Sequence, residues 1–84
     1  MTTGVQFRGT LSANQTQRWF TFNWPAAQHV LWEVVPTTAH AGAAQVDWDV
    51  AIERADATHV TYWLTIKNLT ASPLQIEGRY AILS

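Results

Sequence analysis

An all-β fold, a small antiparallel β-sandwich or flattened barrel of six to seven strands, is predicted by this sequence of 84 residues. Three observations predict it. Val, Ile and Thr make up 22 of the 84 residues, and the apolar side chains recur at every second position rather than every third or fourth. Turn-forming clusters interrupt that alternation at spacings of about ten to fourteen residues, and no stretch shows helical periodicity.

The first strand is expected over Val5–Leu11, with Val5, Phe7 and Leu11 on one face and Gln6, Arg8 and Thr10 on the other. Ser12-Ala13-Asn14-Gln15 then turns the chain. The second runs from Arg18 to Trp24, which places Phe20, Phe22 and Trp24 inward and Trp19, Thr21 and Asn23 outward, and Pro25 ends its hydrogen bonding. The third spans His29–Val35 and stops at Pro36. Thr37–Ala44 is the longest connection and is expected to cross between sheets or form an exposed loop.

Gln45–Glu53 is the cleanest strand, because Val46, Trp48, Val50 and Ile52 alternate with Asp47, Asp49, Ala51 and Glu53 without an error. His59–Lys67 follows the Arg54–Ala57 turn, with Val60, Tyr62, Leu64 and Ile66 inward and Thr61, Trp63, Thr65 and Lys67 outward. Leu74–Leu83 closes the fold, and Gly78 within it marks either a bulge or an aromatic ring lying over the backbone. If successive strands are antiparallel, Asn14, Gln15, Thr37, Thr38, His40, Asn68, Thr70 and Ser72 gather at one end. Trp24, Gln28, His29, Arg54, Asp56 and His59 gather at the other.

The length fits one domain, residues 1–84, and with no cysteine there is neither a disulfide nor a thiolate metal site to reinforce a small core. The core must be dense, so some of the five Trp are structural. A net charge of -1 leaves no basic footprint for nucleic acid. No apolar run approaches the roughly 20 residues that span a bilayer, and Met1-Thr2-Thr3-Gly4 opens no signal sequence, so the expectation is a soluble chain without membrane insertion, its compartment open. Charged residues make up only 13% of the chain, against a usual figure of about 25%, which favours self-association.

The segments Gly9-Thr10-Leu11, Gln15-Thr16, Phe20-Thr21-Phe22, Asp47-Trp48-Asp49-Val50-Ala51-Ile52, Tyr62-Trp63-Leu64-Thr65-Ile66 and Tyr80-Ala81-Ile82-Leu83 together resemble the bacterial prepeptidase C-terminal type of domain. That resemblance implies a β-sandwich accessory domain that binds polymers such as collagen or polysaccharide, sometimes with calcium. The chain departs from the family pattern at Thr58-His59-Val60-Thr61, where a glycine usually precedes the Tyr-containing strand, and the expectation is a free-standing binding protein without an attached enzyme domain.

Catalysis is not expected. The serines, Ser12, Ser72 and Ser84, lie in turns or at the end without a nucleophile elbow, and Asp47 and Asp49 share a strand face with no cleft over it. The two aspartates are the candidate calcium ligands, favoured by the family resemblance, although such a site needs six to eight oxygens. No other cofactor is implied.

The tryptophans divide by phase. Trp32 and Trp48, flanked by Val and Ile at i±2, belong to the core. Trp19 and Trp63, out of phase with it, are expected with Leu31 at a homo-oligomer interface, because interfaces are enriched in aromatics and depleted of Lys and Glu. Trp24, beside Gln28, His29, Asp56 and His59, is the expected ligand wall: indole stacks on the apolar face of a sugar while amide, imidazole and carboxylate bond its hydroxyls. The predicted function is thus a lectin-like, carbohydrate-binding protein made multivalent by homo-oligomerisation. The alternatives are a protein-interaction module without a small ligand and a calcium-stabilised accessory domain.

Overall fold

The computed structural model describes residues 1–83, which form six strands: β1 (Thr2–Leu11), β2 (Thr16–Pro25), β3 (Val30–Pro36), β4 (Val46–Arg54), β5 (His59–Asn68) and β6 (Leu74–Ile82). All pairings are antiparallel, and the strands make two three-stranded sheets, β1-β6-β3 and β2-β5-β4. The expected six to seven strands are six. Their limits lie within two residues of expectation, except that β1 begins at Thr2 rather than Val5.

Among the described strands only β4 and β5 are consecutive neighbours in one sheet, so every other connection passes from sheet to sheet. The turns gather as the antiparallel argument requires. At one end Asn14 N donates to Thr70 O at 2.9 Å and Leu69 N donates to Gln45 O at 2.9 Å. At the other, Ala26 N donates to Thr58 O and Leu83 N to His29 O, each at 2.8 Å.

The inner faces of the two sheets share one apolar cluster. Leu11, Val34, Leu74 and Ile76 come from the first sheet, and Val60, Tyr62, Leu64 and Ile66 from the second. Trp32 and Trp48 pack against this cluster, as the sequence pattern requires, and so do Trp19 and Trp24.

Two irregularities reverse the phase that strict alternation predicts. In β2 the register with β5 shifts between Thr21 and Trp24, where Asn23 takes φ +64°, a left-handed conformation that Asn tolerates better than most residues. The extra residue lets Trp19 and Trp24, five positions apart, both point inward. Trp19 therefore leaves the predicted outer face and stacks on Phe7, while Phe20 and Phe22, expected in the core, are 57% and 62% exposed. In β1 the shift lies between Val5 and Phe7: Phe7 stays inside opposite Gly78, Val5 pairs with Arg79 and turns outward, and Gln6 Nε2 reaches Thr21 Oγ1 at 3.2 Å.

Glycine makes room for these rings. A methyl group on Gly78 would sit 2.3 Å from the Phe7 ring, and one on Gly9 would sit 2.7 Å from the Trp19 indole. Gly78 thus lies under an aromatic, one of the two roles its place in the sequence suggested.

Asn68 pins the turn-rich end. Its side chain is fully buried; Nδ2 donates to Ser12 O at 3.0 Å and Ser72 O at 2.8 Å, while Oδ1 accepts from Thr70 N and Thr70 Oγ1 at 2.8 Å each. The opposite end holds a ring cluster in which Trp24 meets Trp32, Tyr62 and Tyr80 edge-on at centroid distances of 5.4, 6.0 and 5.5 Å. Trp32 also packs against Tyr62 and Tyr80 in that cluster, and the distal half of β4 is left uncovered. Val50 and Ile52, which share the face of Leu64 and Tyr62, remain 39% and 66% exposed instead of buried.

Candidate functional site

The outer face of the β2-β5-β4 sheet carries the aromatic surface of the molecule. Register arranges it in rows across the three strands: Thr16, Lys67 and Asp47; Arg18, Thr65 and Asp49; Phe20, Trp63 and Ala51; and at the far end Phe22 with Thr61 and Glu53. The paired positions share a face because side chains alternate along each strand while neighbours across the ladder point the same way; Phe22 lies within the register shift and has no ladder partner.

Trp63 is the fixed point of that surface. Its indole Nε1 donates to Glu53 Oε1 at 3.0 Å, its ring stacks on Phe20 with centroids 4.9 Å apart, and the Arg18 guanidinium lies over the ring at 5.2 Å. Phe22 extends the group, 6.2 Å from Phe20. Beside the rings lies a shallow hollow of about 160 Å³, lined by Thr16, Asp47, Trp48, Asp49, Thr65 and Lys67. Aromatic rings and hydrogen-bonding groups of both kinds thus occupy one flat surface: carboxylates accept, the ammonium donates, and the hydroxyls do either.

The predicted ligand residues lie elsewhere. The fold brings Gln28 and His29, before β3, to the same end as Asp56, between β4 and β5, and His59, which opens β5, but it turns Trp24 away from them. The Trp24 ring packs into the aromatic cluster and its Nε1 donates to Thr21 Oγ1 at 3.0 Å, so this end lacks the expected ring wall. Asp56 is engaged in its own turn: Oδ1 accepts from Thr58 N and His59 N at 2.8 Å each and lies 3.1 Å from His59 Nδ1. The Thr58 N–H, followed by the His59 side chain, holds this carboxyl below the usual carboxylate range. The hollow at this end is lined by Pro25, Ala26, Ala27, Arg54, Ala57 and Thr58 instead.

Nor do the predicted interface residues form one patch. Trp19 lies between the sheets, Leu31 is 61% exposed on the outer face of the β1-β6-β3 sheet, and Trp63 is on the outer face of the other. Leu31 borders a hollow of about 470 Å³, with Thr3, Glu33, Arg79 and Ala81. Its cation is already matched, since Arg79 Nη2 is 2.9 Å from Glu77, and the rings of Trp32 and Tyr80 beneath it point inward. Asp47 and Asp49 do share a hollow, but Lys67 accompanies them; among the described residues no three His, Asp or Glu side chains converge on a point.

Periodicity singled out Trp63 and gave its neighbours Thr61, Thr65 and Lys67, but it missed Phe20 and Phe22. The signal was Phe20-Thr21-Phe22-Asn23-Trp24, where an Asn between two aromatics is a place for a phase change. Together the fold and this surface define a class: a small two-layer all-β protein with an aromatic face on one sheet. No family model matches the chain, and neither a curated protein nor a solved structure is significantly similar to it.

Proposed function

We propose that this chain is a carbohydrate-binding protein, lectin-like and non-enzymatic, which binds sugar on the outer face of the β2-β5-β4 sheet and acts multivalently as a homo-oligomer. One observation carries the reading: the Phe20–Trp63 stack stands at the surface directly beside the Asp47, Asp49, Thr65 and Lys67 hollow. The exposed Phe20 ring, backed by half-buried Trp63, offers a sugar's apolar C–H face a flat, desolvating partner, and the neighbouring carboxylates, hydroxyl and ammonium satisfy its hydroxyls. The face is shallow, so a single site binds weakly. Several sites on one assembly raise apparent affinity by about 10² to 10⁴.

A glycan array followed by tryptophan-fluorescence titration tests this reading. Wild-type protein is expected to retain a defined set of glycans, and Trp63→Ala or Asp49→Ala to lose them at unchanged melting temperature. Silence of the wild type across neutral, acidic and amino sugars would overturn it, as would glycan binding that survives both substitutions. Repeating the titration in chelator separates this site from a calcium-dependent one, because binding is expected to persist.

A further inference from the structure

Four strands form sheet edges, and three of them carry a register shift or a terminal proline. The β1 and β2 ladders contain register shifts, and β2 and β3 end in Pro25 and Pro36. Such interruptions prevent an edge from templating another strand. Only β4 lacks them: Val46–Arg54 contains no Gly or Pro and pairs with β5 without a shift.

The direction of its free backbone groups follows from the ladder. Gln45 O accepts from Leu69 N and Ala55 N donates to His59 O, so odd-numbered residues of this stretch address β5. In an antiparallel strand the even-numbered residues then present their N–H and C=O groups outward. Two of these, Val50 and Ile52, also carry the uncovered apolar side chains on the inner face. Free hydrogen-bonding groups and unburied hydrocarbon coincide on one half-strand.

We infer that Val50–Arg54 is a homodimer interface, in which two copies pair their β4 edges antiparallel about a two-fold axis at Ile52. Self-complementarity at Ile52 selects a second copy as the occupant, and charge selects the register. A two-fold at Val50 sets Asp47 against the partner's Glu53, and one at Ala51 sets Asp49 against the partner's Glu53; like charges directly opposed across strands are destabilising. Centring on Ile52 instead opposes Glu53 to the partner's Ala51 and Asp49 to the partner's Ala55, so no carboxylate meets another. The same register joins the most exposed large apolar side chain of the strand to its own copy, the self-complementarity of an isologous contact.

The pairing locates the assembly of the proposed function and takes from that reading only the premise that copies associate. A two-fold perpendicular to the joined sheet keeps both outer faces on one side. The two Trp63 positions then lie about 16 Å apart, from strand spacings near 4.8 Å and a rise near 3.4 Å per residue. The interface is short, below the roughly 800 Å² per partner of a standard complex, so the expected dissociation constant is micromolar rather than nanomolar.

Because the chain has no cysteine, engineered thiols report the register directly. Opposed residues of a hydrogen-bonded pair have Cα atoms about 5.5 Å apart, within disulfide range, while diagonal neighbours at about 7 to 8 Å are not. In a glutathione buffer without sugar, Ile52→Cys is expected to form at least about ten times more covalent dimer than Ala51→Cys or the distant Thr10→Cys. By sedimentation, wild type is expected to dimerise with concentration, and Ile52→Lys, at an exposed position, to stay monomeric with its melting temperature kept. A wild type that is monomeric up to about 1 mM, equal crosslinking at all three positions, or Ile52→Lys that still dimerises overturns the inference. Phe20→Ser with Phe22→Ser is expected to leave the dimer intact, and a monomer there instead would move the interface to the aromatic face. None of these results depends on glycan binding.

Discussion

The rings of Phe7 and Trp19 stack across the two sheets with centroids 5.3 Å apart and planes 14° from parallel, one seated on Gly78 and the other on Gly9. Each ring closes over the backbone of the opposing sheet or strand where a side chain would otherwise stand. The stack thus links β1 to β2 through contacts that neither strand makes in its own ladder. It also explains why two glycines lie inside strands, where Gly normally weakens a sheet.

Gly78→Ala tests that seating. The new methyl group meets the Phe7 ring, which Trp19 blocks from retreating, so a loss of about 1 to 3 kcal/mol is expected. For a domain of this size each kcal/mol lowers the melting temperature by roughly 4–8 °C. In a Phe7→Leu background the same substitution should cost less, a coupling that a double-mutant cycle measures. Equal cost in both backgrounds means that Phe7 is not the obstacle.

Asn68→Ala removes a buried hub that ties the β1–β2 turn to the β5–β6 turn. The carbonyls of Ser12 and Ser72 lose their partner, and so do the buried groups of Thr70. About 3 kcal/mol of stability is expected to disappear, read as a lower midpoint in urea at an unchanged slope. Asn68→Asp should be worse at neutral pH, since it turns a carboxylate oxygen toward carbonyls, and should recover partly on acidification.

Acid sensitivity has two identifiable sources. Hydrogen bonds from Arg79, then Arg8, hold the Glu77 carboxyl below its ordinary range, and the Thr58 N–H and the His59 side chain do the same for Asp56. A carboxyl whose pKa is lower folded than unfolded adds stability that is fully present above its unfolded value near 4, and loses it as pH falls through the folded value. Melting temperature is therefore expected to fall below about pH 4, and Glu77→Gln to flatten that fall. An identical acid slope in the variant would contradict the assignment.

Trp24 and Trp63 should separate structure from function. Trp24→Phe removes the hydrogen bond to Thr21 and part of the ring cluster, so about 2 kcal/mol of stability should be lost while glycan titration is unchanged. Trp63→Ala should do the reverse. Thermal melts and fluorescence titrations on the two variants check both halves, and loss of binding in Trp24→Phe at full stability would return the site to the end of the molecule.

The sequence by itself determined the all-β class, the strand limits to within two residues outside β1, the ends to which the turns go, and the outward place of Trp63. Each follows from two-residue periodicity and turn chemistry, which act over a few neighbouring residues. The tertiary structure decided which aromatics face out. One inserted residue at Asn23 exchanges the faces of Trp19 and Phe20 without disturbing local composition, and a single-residue slip inverts everything on one side of it. It also decided that Trp24 has a ring cluster to enter, and that Val50 and Ile52, in perfect alternation, have no opposing layer to bury them. Alternation states only which residues share a face; whether another sheet covers that face depends on strands far away in the chain.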